Sequence, residues 1–400
     1  MPYFLAFLGF AALIILHEGG HFAAAKAVGM RVERFSLFFG PMFLKFRRGE
    51  TEYGIGPIPA GGYVRITGMN PHERLPEEKD LDELRARQEQ LRRDGGSAEE
   101  ENRLNTKIGQ LEGQLPSVRQ RTYYNQPVWK RVVVILAGPA VNLLIAFLII
   151  WGIFLAQGEA IPHSTKQVAV VGKRTPAAAV LKPGDRVISV DGVSGSVEKL
   201  QRQIRSHRCA GPLTNGCLAA TPARVVVHRG HRTLPLDIRP RYVAADGFME
   251  IGFGFGVYYT QRPVNASHAA SLTVTGLWKV TTLTVSRFAT LFEPQSRKDI
   301  HSVVGAFKVT QQRFGLSATE ALDTLALISL SLAVINLFPF LPLDGGHVFW
   351  AVAEKVRGKR IPVEVMERAG AVGFALILII FVIGLSNDIS TLTGSGFNVR

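Results

Sequence analysis

The chain has 400 residues, 47% hydrophobic and 20% charged, a balance that excludes a disordered or collagen-like chain and favours a membrane protein with substantial soluble parts. Its 46 Lys and Arg against 32 Asp and Glu give +14, which suits nucleic acid, an anionic membrane surface or the asymmetric loops of a membrane protein alike. Two cysteines are too few for a disulfide scaffold and form no CxxC pair, so any metal must rest on His and carboxylate.

Residues 1–27 form the first predicted membrane helix, with an apolar stretch from Pro2 to Ala25. No Lys or Arg precedes Lys26 and the stretch exceeds a signal-peptide core, so a retained span is expected. It carries His17-Glu18-Gly19-Gly20-His21, an HExxH pattern. Residues four apart on a helix differ by about 40° around the axis and about 6 Å along it, so both imidazoles reach one metal. Glu18 projects about 60° from His21, where it can take a proton from an attacking water, the arrangement of a zinc hydrolase. HExxH occurs by chance in soluble proteins. Inside a span each ionisable side chain costs about 2.5–3.5 kcal/mol, so three together call for a compensating role.

Residues 28–70 are rich in aromatic and β-branched side chains between Phe35 and Ile66, punctuated by Gly40-Pro41, Gly49, Gly54, Gly56-Pro57 and Gly61-Gly62. One or two β-hairpins are expected. Residues 71–121 are dense in Glu, Arg, Gln and Lys, with helical runs at Asp80 to Arg93 and Ala98 to Leu115 separated by Gly95-Gly96. They predict a solvated helical hairpin, a cytoplasmic insert.

The second span falls within residues 122–157, its uncharged core at Val132 to Ala156. Residues 160–245 follow with Val168 to Val171, Thr175-Pro176, Pro183-Gly184-Asp185, a strand from Arg186 to Val190 and Asp191-Gly192. A strand, a small-residue helix start, a PGD turn, an alternating strand and a DG turn in that order resemble a PDZ domain of the bacterial protease type. Such a domain binds peptides by strand addition, and its bulk also suits a filter against substrates with large outer domains. Cys209 and Cys217 fall in one Gly/Pro/Asn-containing loop of this region, where a disulfide would be a loop staple. Residues 246–320 hold a glycine-rich strand region, Phe248 to Tyr259, then helical stretches at Leu272 to Phe292 and Ser302 to Phe314 that suit either an amphipathic membrane-surface role or plain soluble helices.

The third span, residues 321–350 with its core at Thr324 to Leu343, contains Pro339 and Pro342, which interrupt it. Catalytic zinc needs a third protein ligand beside two histidines, and Asp344 is the acid at that depth. An aspartate in an interfacial turn would read differently if His17 and His21 did not need a partner. A loop at 351–368, a fourth span at 369–387 and a tail at 388–400 complete the chain.

HExxH, Asn125-Gln126-Pro127-Val128-Trp129-Lys130-Arg131 leading into Ala137-Gly138-Pro139-Ala140-Val141-Asn142, and the NxxPxxxLDG pattern at Asn336, Pro339, Leu343, Asp344 and Gly345 together resemble the site-2 protease family of intramembrane zinc metalloproteases. The resemblance is closest to the bacterial branch that cleaves membrane-anchored anti-sigma factors, and covers most of the chain outside the insert. It implies Zn2+ on His17, His21 and Asp344, with Glu18 as general base. It also implies substrate binding by Asn336 and by the β-element at Gly61 and Gly62, whose exposed edge would pair with an unwound substrate strand. Asn142 suits helix packing equally well.

The implied fold class is a polytopic α-helical membrane protein with four transmembrane helices, a membrane-associated β-hairpin element and an extracytoplasmic PDZ (α+β) domain. Lys26, Arg31, Arg34, Arg119, Arg121, Lys130 and Arg131 flank residues 26–131, and Lys355, Arg357, Lys359, Arg360 and Arg368 crowd the last loop. The positive-inside bias then puts those segments in the cytoplasm, residues 157–323 and both termini outside, and the zinc site towards the cytoplasmic side of a bacterial inner membrane. The expected partners are the lipid bilayer and a single-pass membrane substrate such as an anti-sigma factor. The absence of a phosphate loop or nucleic-acid motif leaves no nucleic-acid partner expected. Two competing classes are a non-catalytic adaptor holding partners through its PDZ-like region, and a zinc transporter, which calls for polar positions along several spans.

Overall fold

The computed structural model describes residues 2–69, 74–95, 97–289 and 317–393, with positions 305, 308, 312 and 313. The chain divides into two compact units, residues 1–156 with 265–400, and residues 157–264.

The first unit opens with α1 (Pro2–Ala27) and four strands, β1 (Val32–Phe39), β2 (Leu44–Arg48), β3 (Thr51–Ile55) and β4 (Ile58–Ile66). Their order in the sheet is β2-β3-β1-β4, so the region is more than the expected hairpins. β2 and β3 form a hairpin, but β1 inserts between β3, which it meets in parallel, and β4, which it meets antiparallel. Met30, Val32 and Ile66 bury this sheet's end against Ala25, Tyr123, Val134 and Ile135. Phe43, Leu44 and Phe46 at the other edge remain exposed.

The insert is an antiparallel pair, α2 (Pro76–Arg93) and α3 (Ala98–Gln120), each longer than its sequence pattern. Leu81, Ile108 and Leu115 pack between the helices. Arg85–Glu112 and Arg92–Glu101, both 2.6 Å, and Arg119–Glu78 at 2.7 Å lace the exposed faces. Its base is tied down where Arg31 meets Glu77 at 2.6 Å and Arg121 meets Glu50 at 2.8 Å. Burial works to raise the Glu50 carboxyl, but Arg121 and Lys26 outweigh it and hold it below the ordinary value. Helix α4 (Val128–Gln157) then ends the first stretch of this unit.

The second unit contains β5 (Glu159–Val171), β6 (Arg186–Val190), β7 (Val193–Ser194), α5 (Val197–Arg205), β8 (Ala223–Arg229), β9 (Arg232–Ile238), β10 (Arg241–Val243), β11 (Phe248–Glu250) and β12 (Phe253–Arg262). Its main sheet runs β12-β5-β6-β8-β9, with β7 on β6. The Asp191-Gly192 turn between β6 and β7 has φ of 50° and 80°, the left-handed pair that a two-residue hairpin needs. On α5, Val197, Leu200 and Ile204 share one face and are buried. Sequence pattern ends this region at residue 245, whereas the compact unit runs to Val264. The physical reason is long-range pairing, since β12 lies along β5 from Phe253↔Val171 to Arg262↔Glu159. The glycine-rich strand is therefore a sheet member and not the start of an amphipathic region. Cys209 and Cys217 are joined, with Cα atoms 5.8 Å apart.

The first unit resumes with α6 (Ala266–Ala289), α7 (Ala318–Asn336), α8 (Asp344–Arg357) and α9 (Val363–Thr393). The helix expected at Ser302 to Phe314 lies outside the described residues apart from a few positions, as does the end of the expected tail. The third span, drawn as residues 321–350, is two helices. Helix α7 stops at Asn336, short of Pro339 and Pro342, whose missing N–H groups cannot continue the ladder, and α8 starts afresh at Asp344. Among the described residues, four helices are long and apolar enough to cross a membrane: Tyr3–Ala27, Val128–Gln157, Ala318–Asn336 and Glu364–Thr391.

Candidate metal centre

His17 and His21 sit one turn apart on α1, each only 7% exposed. Their rings meet edge to face and their Nε2 atoms are 3.4 Å apart. Helix α4 crosses behind them at Gly138, where any Cβ would overlap the His21 imidazole. The close crossing brings the Val134 carbonyl within 2.8 Å of His21 Nδ1. A carbonyl only accepts, so Nδ1 carries the proton and Nε2 keeps its lone pair. His17 turns its Nδ1 towards the side chain of Asn142, 3.0 Å away and fully buried on the same face of α4.

Asp344, the first residue of α8, directs Oδ2 to both rings, 3.4 Å from His17 Nε2 and 3.3 Å from His21 Nε2. That oxygen is buried and has no hydrogen-bond partner among the described residues. The three atoms thus form a nearly equilateral triangle. Ligands about 2.0–2.1 Å from a tetrahedral zinc are separated by about 3.3–3.4 Å, so the triangle has the dimensions of one face of such a site. Two imidazoles and an unpartnered carboxylate oxygen are also a donor set suited to zinc. The residues present fit the metal.

Glu18 faces β4: a Cβ on Gly62 would come within 2.9 Å of its Cγ. Gly61, with φ of +149°, lies against the Phe39 ring. Asn336, at the end of α7, brings its Nδ2 to 3.3 Å from His17 Nε2. His17, Glu18 and His21 on α1, Gly62 on β4, Asn336 on α7 and Asp344 on α8 therefore come together, whereas Gly61 packs on Phe39 and Cys209 and Cys217 belong to the other unit. The roles of two partners were not read from the sequence. The Val134 carbonyl has no side-chain signal, and Asn142 was visible only as an amide in an apolar span.

Four membrane-length helices and a metal-capable His, His, Asp cluster, among the described residues, fit a membrane protein of the metallohydrolase class. The model of peptidase family M50 matches residues 5–380, and the chain belongs to that family, the site-2 proteases. Among its relatives, the zinc metalloprotease RasP of Shouchella clausii is 26% identical, covering 97% of this chain and 99% of its own length. The regulator of sigma-W protease RasP of Bacillus subtilis is also 26% identical, over 96% of this chain and 97% of its own. The zinc metalloprotease Rip1 of Mycobacterium bovis is 28% identical over 86% and 83%. The protein is a membrane zinc metalloendopeptidase.

Proposed function

We propose that the chain hydrolyses a peptide bond within or at the edge of the membrane in a single-pass substrate, with His17, His21 and Asp344 holding zinc and Glu18 acting as general base. The observation that carries this reading is the triangle of His17 Nε2, His21 Nε2 and Asp344 Oδ2, with edges of 3.3–3.4 Å, beside Glu18. Bound there, zinc supplies a Lewis acid that polarises the scissile carbonyl and acidifies water. Glu18 takes the proton of the attacking water on a carboxylate oxygen and returns it to the leaving nitrogen. Asn336 donates from Nδ2 to the substrate backbone near the scissile bond. β4 is an edge strand of its sheet and passes Glu18 at Gly62, which supports strand pairing with a substrate extended out of its helix. Extension is a chemical requirement, because a helix locks its carbonyls in hydrogen bonds.

Residues 157–264 act as a PDZ-like module, whose edge strand β12 is suited to strand addition. The Lys and Arg flanking the spans put residues 26–131 and 351–368 in the cytoplasm, the PDZ-like unit outside, and the zinc site towards the cytoplasmic face of a bacterial inner membrane. The sigma-W regulator named among the relatives favours an anti-sigma factor as substrate. The test is co-expression of candidate single-pass regulators with wild type or Glu18→Gln. A membrane-anchored substrate that accumulates only with the variant supports the reading. A substrate processed equally with both contradicts it.

A further inference from the structure

The two histidines are oriented by different groups, and the second is not satisfied by the hydrogen bonds as they stand. His21 Nδ1 has the Val134 carbonyl, an obligate acceptor. His17 has an amide nitrogen at each end of its ring, Asn142 Nδ2 at 3.0 Å from Nδ1 and Asn336 Nδ2 at 3.3 Å from Nε2. A neutral imidazole has one lone pair and one N–H, so it cannot accept from both. At the same time Asn142 Oδ1, in a fully buried residue, has no partner among the described residues. An orphaned amide oxygen of that kind is costly, because burial has stripped it of water without giving it a protein donor.

Turning the Asn142 amide by 180° resolves both conflicts, since its oxygen and nitrogen exchange places with no other atom moving. Oδ1 then accepts the proton of His17 Nδ1, and the Nε2 lone pair faces His21 Nε2 and Asp344 Oδ2. We propose that Asn142 is a positioning residue that fixes the metal-binding tautomer and ring orientation of His17, as the Val134 carbonyl does for His21. Both orienting groups lie on α4, two turns apart, so one helix sets both imidazoles of α1. The Asn142 backbone is itself held, its carbonyl accepting from Ser329 Oγ on α7 at 2.8 Å. The inference rests on the reading of His17 as a zinc ligand.

The test uses full-length protein in detergent, with zinc affinity measured by competition against a fluorescent chelator and folding measured by thermal unfolding of the metal-free form. Asn142→Leu removes the acceptor and weakens zinc binding about 10- to 100-fold, the usual loss when such an orienting partner is removed. Asn142→Asp keeps an acceptor oxygen at the same place and restores binding to near the wild-type value. Wild-type affinity in Asn142→Leu, or equal weakening in the Asp and Leu variants, overturns the proposal, because a packing amide makes no distinction between them. Where Asn142→Leu does not fold, Asn142→Ala against Asn142→Asp carries the same contrast. His17→Ala is the control for the underlying reading: unchanged zinc affinity in that variant defeats the zinc-site assignment itself, independently of Asn142.

Discussion

In residues 157–264 the buried cluster is aliphatic, built from side chains such as Val168, Leu181, Val187, Leu200, Val225 and Val227, with Asp185 as the buried acid. The helical unit instead buries His17, His21, Arg131, Asn142 and Glu354 among its apolar side chains. Solvent explains the contrast. In water, removing apolar surface drives folding at about 25 cal/mol per Å². Between membrane helices that gain vanishes, because lipid tails are as apolar as leucine, and association rests on close packing and polar contacts. Polar groups in such a unit are expensive, so where several gather they mark either a structural tie or chemistry. Among the described residues the helical unit offers examples of both: Arg131–Glu354 as a tie, and the cluster at His17, His21 and Asp344 as the proposed site of chemistry.

The largest stability effect expected is at the tie. Arg131 on α4 and Glu354 on α8 meet at 2.6 Å with both side chains nearly inaccessible, and the guanidinium lies 5.8 and 5.5 Å from the Tyr123 and Tyr124 rings. Arg131→Met strands the Glu354 carboxylate and costs about 3–5 kcal/mol, measured by unfolding in detergent. Adding Glu354→Leu restores most of it. A double variant as unstable as the single one would break the view of this pair as mutual neutralisation.

A smaller effect belongs to the aliphatic unit. Arg229 contacts both oxygens of Asp185 at 2.7 Å. This guanidinium holds the Asp185 carboxyl below its ordinary value, against the opposing effect of burial. Arg229→Ala removes about 1.5–3 kcal/mol at neutral pH. The sign of the pH dependence follows from the depressed value. The contribution is complete above the unfolded carboxyl's pKa of about 3.9 and disappears as pH falls through the lower folded value. Unfolding curves of wild type and Asp185→Asn should therefore converge in strong acid; a gap that persists there contradicts the ion-pair account. Smaller again is Ser97, whose Oγ accepts from Glu100 N at 3.3 Å to cap α3. Ser97→Ala destabilises the hairpin by about 1 kcal/mol, read as faster hydrogen exchange confined to α2 and α3. Exchange that rises in α1 or α4 as well would mean the insert is not a separate cooperative element.

How much was legible in the sequence followed the range of the interaction. The four spans announced themselves as apolar runs, and His17, Glu18 and His21 as a spacing on one helix, because both are local properties. Asp344, which the structure brings to both imidazoles, was reachable because a metal with two histidines would need a further ligand. By contrast, β1 between β3 and β4 could not be read from local alternation, nor could the pairing of β12 with β5 some ninety residues earlier. Strand order is set by contacts that leave no periodic trace. Arg131 and Glu354 look like ordinary flanking charges until α4 and α8 are brought together. Asn142 is the sharpest case, since an amide in an apolar span reads as packing until its distance to His17 Nδ1 is known.

In the proposed mechanism Glu18 moves the proton while His17, His21 and Asp344 hold the metal. It is tested most directly by the cleavage rate of purified Glu18→Gln on a single-pass substrate, at measured zinc occupancy. Zinc occupancy is expected to equal wild type and the rate to fall by about 10²- to 10⁴-fold. Cleavage at the wild-type rate by the zinc-loaded variant would contradict it.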